Sequence, residues 1–127
     1  METPLKPTDA ELEILQVIWN EGPSTVRAIN SILNERKTVG YTTTLKLLQI
    51  MAQKGIVRAD KTDRSHVYIA LLREEETQHH LVDQLLNAAF GGSAKKLVMQ
   101  ALGNGKTSLK ELEEIKSLIQ KLEGNQQ

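Results

Sequence analysis

Tyr41-Thr42-Thr43-Thr44-Leu45-Lys46-Leu47-Leu48-Gln49-Ile50-Met51-Ala52-Gln53-Lys54-Gly55 is the stretch on which the fold turns. Thr44, Leu47, Leu48 and Met51 recur at helical spacing, which predicts a helix over 41–54 with one inward side. Lys54-Gly55 is a helix-stop signal, because glycine takes the left-handed conformation that ends a helix. Thr42, Thr43, Lys46, Gln49 and Gln53 fall on the opposite side and are polar without being acidic. Leu45 and Ile50 interrupt that face. Partial cover by a neighbouring loop is the expectation for Ile50. Leu45 is left with two readings, similar cover or an outward apolar contact.

Downstream the period changes from helical to alternating. Ile56 to Asp60 reads as a short strand, Thr62 to Ser65 as a turn, and Val67, Ile69 and Leu71 alternate with Tyr68 and Ala70 in a returning strand. Upstream, Thr8-x-x-Glu11 is a capping-box pattern ahead of Leu12, Leu15, Ile18 and Trp19, and Gly22-Pro23 ends that helix. Ser24 is the expected cap of a second helix bearing Val26, Ile29, Ile32 and Leu33. Beyond residue 74 the chain reads as three more helices. Their apolar residues are Leu81, Leu85, Leu86 and Ala89, then Leu97, Val98, Ala101 and Leu102, then Leu112, Ile115, Ile119 and Leu122. Gly91-Gly92 and Gly103-Asn104-Gly105 separate these helices, and Ser93 and Ser108 are their expected caps.

The 127 residues carry 16 bases, 16 acids and no cysteine. That excludes a disulfide framework, a thiolate metal site and a cysteine nucleophile. The zero net charge hides a segregation. Residues 36–73 hold eight bases and two acids, while residues 1–35 hold two bases and six acids and residues 74–127 six bases and eight acids. A positive excess confined to one stretch points to a polyanion-binding face. No apolar run approaches the ~20 residues of a bilayer span. Met1 to Pro7 carry no secretory segment, so the expected location is the cytoplasm with no membrane insertion.

Three helices followed by a two-stranded hairpin is the order of a winged helix-turn-helix. The expected fold is therefore mainly α with a small β-hairpin wing, followed by a C-terminal helical dimerisation region. The expected domains are 1–73 and 74–127. A helix fits the DNA major groove, and a polar outer face meets base edges there. Thr42, Thr43, Lys46 and Gln49 are the candidate base-facing residues. Leu45 joins them through the apolar contact that a thymine methyl offers. Tyr41 marks a helix N-terminus suited to phosphate. Arg58, Lys61 and Arg64 of the wing are candidate backbone contacts, and His66 at the start of the returning strand is a further one. The partner expected is a double-stranded DNA operator. A single module reads few base pairs, so a homodimer is expected through Leu81, Leu85, Leu86, Leu97, Val98, Leu112, Ile115, Ile119 and Leu122.

Several strings resemble the BlaI/MecI/CopY family of bacterial repressors, the penicillinase repressors. They are Thr8-Asp9-Ala10-Glu11-Leu12-Glu13-Ile14-Leu15 with Trp19, Thr42-Thr43-Thr44 through Lys54-Gly55-Ile56-Val57, Arg64-Ser65-His66-Val67-Tyr68, and Phe90-Gly91-Gly92-Ser93. The resemblance runs from about residue 6 to 123 and rests on the joint order of these strings. It implies a dimeric winged-helix repressor of palindromic operators. In the β-lactam-responsive members, a membrane sensor-protease triggers cleavage in the C-terminal region and the repressor leaves DNA. Two departures stand out. The Cys-x-Cys ligands of copper-responsive members are absent. The Asn–Phe bond that is cut in β-lactam members aligns with Gln100-Ala101.

Other constellations carry less. His79 and His80, with Glu75, Glu76 and Asp83, place two metal-ligand types on one helix face. A solvated helix start, with acids at the positive dipole end, explains them equally in type and better in number. No cofactor and no metal is expected. No Gly-rich phosphate loop, Gly-x-Ser-x-Gly or His-Glu-x-x-His occurs, so no enzyme is expected. The competing function is a winged helix that binds protein instead of DNA, which would not need the basic segment.

Overall fold

The computed structural model describes residues 6–126. The non-secretory reading of Met1 to Pro7 therefore falls mostly outside the described residues. The elements are α1 (Asp9–Glu21), β1 (Ser24–Thr25), α2 (Val26–Leu33), α3 (Tyr41–Lys54), β2 (Val57–Asp60), β3 (Val67–Ala70), α4 (Glu74–Phe90), α5 (Ala94–Leu102) and α6 (Leu109–Gly124). The chain divides into two compact units, one ending at Leu81 and one beginning at Val82, so the division falls within α4.

The first unit is built on the capping box at α1. The Thr8 Oγ1 accepts from the Glu11 N–H at 3.2 Å, and the Thr8 N–H donates to Glu11 Oε1 at 2.9 Å. Ile14, Leu15 and Ile18 then face Ile29 of α2, Leu48 and Met51 of α3, and Ile56, Val57 and Tyr68 of the sheet region, forming the core. The Trp19 indole N–H donates to the Leu72 carbonyl at 3.0 Å and ties α1 to the chain leaving β3. Gly55 ends α3 at φ 81°, where a side chain would be strained. The Ile56 N–H then returns to the Met51 carbonyl at 2.9 Å, and the chain turns directly into β2.

Three details differ from the sequence expectation. Ser24 does not cap α2. It forms β1, opposite Tyr68, and its hydroxyl donates to the Gly22 carbonyl at 2.7 Å. Thr25 is the cap instead, its Oγ1 accepting from the Ala28 N–H. The wing is accordingly a three-stranded antiparallel sheet in the order β1-β3-β2, where a two-stranded hairpin was expected. In β3 the buried residue is Tyr68, with Val67 and Ile69 half-buried, and Leu71 lies exposed just beyond the strand. Tyr68 lies opposite Ala59 and Ser24, so its ring covers small residues on both sides.

The second unit is helical. Ser93 Oγ accepts from the Lys96 N–H and Ser108 Oγ from the Glu111 N–H, as their positions predict. No described residue beyond Thr77 is buried. Among the described residues no helix is long and apolar enough to cross a membrane.

Candidate nucleic-acid interface

The pose of α3 is set by amide side chains of Asn30 in α2 and of Asn34, which caps its C-terminus. Asn30 Nδ2 donates to the Val39 carbonyl at 2.9 Å and to Thr44 Oγ1 at 2.8 Å. Asn34 grips Val39 from both sides, its Nδ2 donating to the Val39 carbonyl and its Oδ1 accepting from the Val39 N–H. These bonds satisfy the turn between α2 and α3 and fix the fully buried Thr44 on the inner side of α3. With Thr44 inward, Tyr41, Thr42, Thr43, Lys46 and Gln49 are all exposed. The N-cap of α3 is Gly40, which supplies no side-chain acceptor. The first-turn N–H groups and the positive helix end are thereby left for an external anion.

A groove of about 380 Å³ opens beside α3, lined by Thr25, Val26, Arg27, Tyr41, Leu45, Arg64, Ser65, His66 and Tyr68. It gathers four of the expected contact residues, Tyr41, Leu45, Arg64 and His66, from α3 and the wing. Leu45 is half-buried and packs against the core, so it is the groove's apolar floor more than an outward side chain. Ile50 keeps 36 % exposure on the outer side.

Other expected contacts lie elsewhere. Thr43 borders a different cavity, with Val39, Lys37 and Glu13, on another flank of α3. Lys37 meets the Glu13 carboxylate there at 3.9 Å, a pair of exposed side chains worth little. Lys61 is exposed in the wing turn. Arg58 lies opposite Ile69 in β3, on the sheet face opposite to that of the buried Tyr68, and shares its face with Asp60. The Thr62 N–H and hydroxyl, bonded to Asp60 Oδ1 and aided by Arg58, hold that carboxyl below its ordinary range. Arg58 thus has an ionised acid beside it, which lowers its value for phosphate relative to Arg64.

Sequence reasoning missed two features. The first is Arg27, which sits in the acidic first segment, outside the basic stretch that points to a polyanion-binding face. The second is the pair Asn30 and Asn34, whose i,i+4 spacing just before a turn is the available clue.

His79 and His80 border a cavity of about 410 Å³ with Leu71, Leu72, Arg73 and Glu76. Among the described residues, no three His, Cys, Asp or Glu gather to hold a metal ion. Of the residues expected at a dimer interface, Leu81 falls in the first unit and lines that cavity. Leu86, Leu97 and Ile115 are half-buried, while Leu85, Val98, Leu112, Ile119 and Leu122 are exposed.

Comparison with known proteins agrees with this geometry. The family model described as penicillinase repressor matches residues 7–121. The chain is 24 % identical over 110 residues to the penicillinase repressor of Staphylococcus aureus, covering 87 % of each chain. It is 33 % identical over 87 residues to the transcriptional regulator BlaI of Mycobacterium tuberculosis, covering 67 % of this chain and 63 % of that one. In fold it is similar to the transcriptional regulator Tm0710 of Thermotoga maritima, at a TM-score of 0.53 and 24 % identity, covering 93 % of this chain and 77 % of that one. A polar helix face beside a basic wing, carried by a sequence matched from residue 7 to 121, leads to one conclusion: the chain belongs to the penicillinase repressor family of DNA-binding transcriptional regulators, which are not enzymes.

Proposed function

We propose that the chain is a sequence-specific repressor acting as a homodimer on a palindromic operator, with 1–73 as the DNA-binding module and 74–127 as the dimerisation region. The observation that carries the DNA part is the groove. Tyr41, Leu45, Arg64 and His66 line one concavity beside the exposed polar face of α3. Base contacts come from Thr42, Lys46 and Gln49, and phosphate contacts from the wing. Support for the dimer is that no described residue of the second unit is buried while Leu85 is 51 %, Ile119 48 % and Leu122 53 % exposed. Apolar faces of this size are rarely left to water on a soluble protein.

The proposal extends to release. Gln100 and Ala101 are exposed in the last turn of α5, just before Gly103. A signal-triggered cut there, set off by a membrane sensor-protease, would sever α6 from the rest of the chain and break the dimer. Mass spectrometry of repressor from induced cells should then show a new terminus at Ala101; an intact chain in derepressed cells removes this part.

The direct test is a salt-titrated binding assay on a duplex of the gene's own upstream region against a scrambled duplex. Expected are dimer stoichiometry, a steep loss of affinity with salt, and a preference of at least ~10³ for the true sequence. Weak binding to both duplexes with little salt dependence would overturn the repressor reading in favour of a protein-binding winged helix.

A further inference from the structure

The groove beside α3 has a charge character that three other cavities lack. Arg27 and Arg64 both line it, and no carboxylate does. Each of the others includes a glutamate: Glu76 in one, and Glu13 in the other two. Among the described residues, neither arginine forms an ion pair with an acidic side chain within 4.0 Å. Two arginines lining one concavity bring two like charges to a shared space, which favours an anion there. Their arrangement becomes favourable when a single anion sits between them, and the planar guanidinium fork matches phosphate oxygens. Tyr41 and Ser65 add hydroxyl donors to the same walls. The two arginines come from different elements, α2 and the wing turn, so an anion held by both would lock the wing to the helix-turn-helix.

We propose that this groove is a phosphate clamp in which Arg27 of α2 and Arg64 of the wing turn grip one and the same DNA backbone phosphate, flanking the bases that α3 faces. The inference rests on the DNA-binding reading and adds to it a residue outside both α3 and the wing. Arg27 carries no signal of this role in the sequence pattern. It acquires the role because the wing turn folds back over the start of α2.

The test uses the full chain and a duplex of scrambled sequence, since phosphate contacts are independent of sequence. Binding is followed by fluorescence anisotropy between about 50 and 200 mM salt for wild type, Arg27→Ala, Arg64→Ala and the double variant. Lys110→Ala, on α6, serves as the control. Each single variant should bind about tenfold more weakly. The double variant should flatten the slope of log K against log salt by about 0.9 per bound protomer, the value for one phosphate. Arg27→Lys should keep most of the slope while losing part of the affinity, because a point charge lacks the bidentate fork. Both arginines are exposed, and thermal melts should confirm unaltered folding. A double variant that loses about 1.8 per protomer places the arginines on two separate phosphates and overturns the clamp. So does Arg27→Ala with wild-type affinity and slope. A wild type without salt-dependent binding would instead overturn the repressor reading itself.

Discussion

Glu11 shows how one residue serves two levels of structure. Its carboxylate closes the capping box on the Thr8 N–H and also accepts from Lys54 Nζ at 2.9 and 3.2 Å, joining the start of α1 to the end of α3. The side chain is only 2 % exposed. Burial pushes the carboxyl up, but the Thr8 N–H, the Lys54 ammonium and the Thr8 hydroxyl together outweigh it and hold the group below its ordinary 4.5. The consequence for stability has a definite sign. A folded-state value below the unfolded one adds stability that is full above about pH 4.5 and is lost as pH falls through the folded value. Removing the cation strands a buried charge, so Lys54→Met should cost about 1–3 kcal/mol at pH 7, discounted for the exposure of the lysine. Urea melts from pH 7 to 3 measure this. The wild-type advantage over Lys54→Met should shrink once Glu11 protonates; a gap that stays constant to pH 3 would mean that the pair contributes through packing alone.

At the scale of elements, α3 is held by polar bonds as much as by its core face. Asn30 donates to two acceptors, the Val39 carbonyl and the Thr44 hydroxyl, so the sign of a substitution there is specific. Asn30→Ala should destabilise by about 1–2 kcal/mol. Asn30→Asp should cost more, because a carboxylate oxygen would face the Val39 carbonyl. Equal losses in chemical denaturation would show that the bonds are incidental. On the outer face, Lys46→Ala should cost about 1–3 kcal/mol of operator affinity and relax sequence preference without changing stability. Unchanged preference would mean that Lys46 touches phosphate only. The bounds of α3 were legible in the sequence because the periodicity of Thr44, Leu48 and Met51 and the Gly55 stop are local signals. The caps at Thr8, Ser93 and Ser108 were legible for the same reason. β1 was not, since two residues hold no period and Ser24 becomes a strand only by pairing with Tyr68, 44 positions away. The same holds for the groove. Arg64 was found through local charge, whereas Arg27 joins it only through the tertiary fold.

For the whole molecule, the contrast between the two units is the governing fact. The first has a closed core around Ile14, Leu15, Ile29, Leu48 and Met51; among the described residues of the second, none is buried. A helical segment with exposed apolar side chains on every helix gains its stability from what covers it, because short helices in water are marginal by propensity alone. On α6, Leu112, Ile115, Ile119 and Leu122 follow steps of three, four and three, the seam that a second helix packs against. If a second copy supplies the cover, folding of this unit and association are one event, and the melting temperature must rise with protein concentration. Ile119→Glu puts a charge into the seam and should convert the dimer into a monomer by sedimentation, while the first unit keeps its cooperative melt. Operator binding should fall by about 10²-fold or more, because two linked modules meet two half-sites at a high effective concentration that a monomer lacks. The affinity of an isolated module for a half-site duplex should be unchanged. A wild-type chain that sediments as a folded monomer at micromolar concentration, or an Ile119→Glu variant that remains dimeric, would place the partner surface elsewhere than on α6.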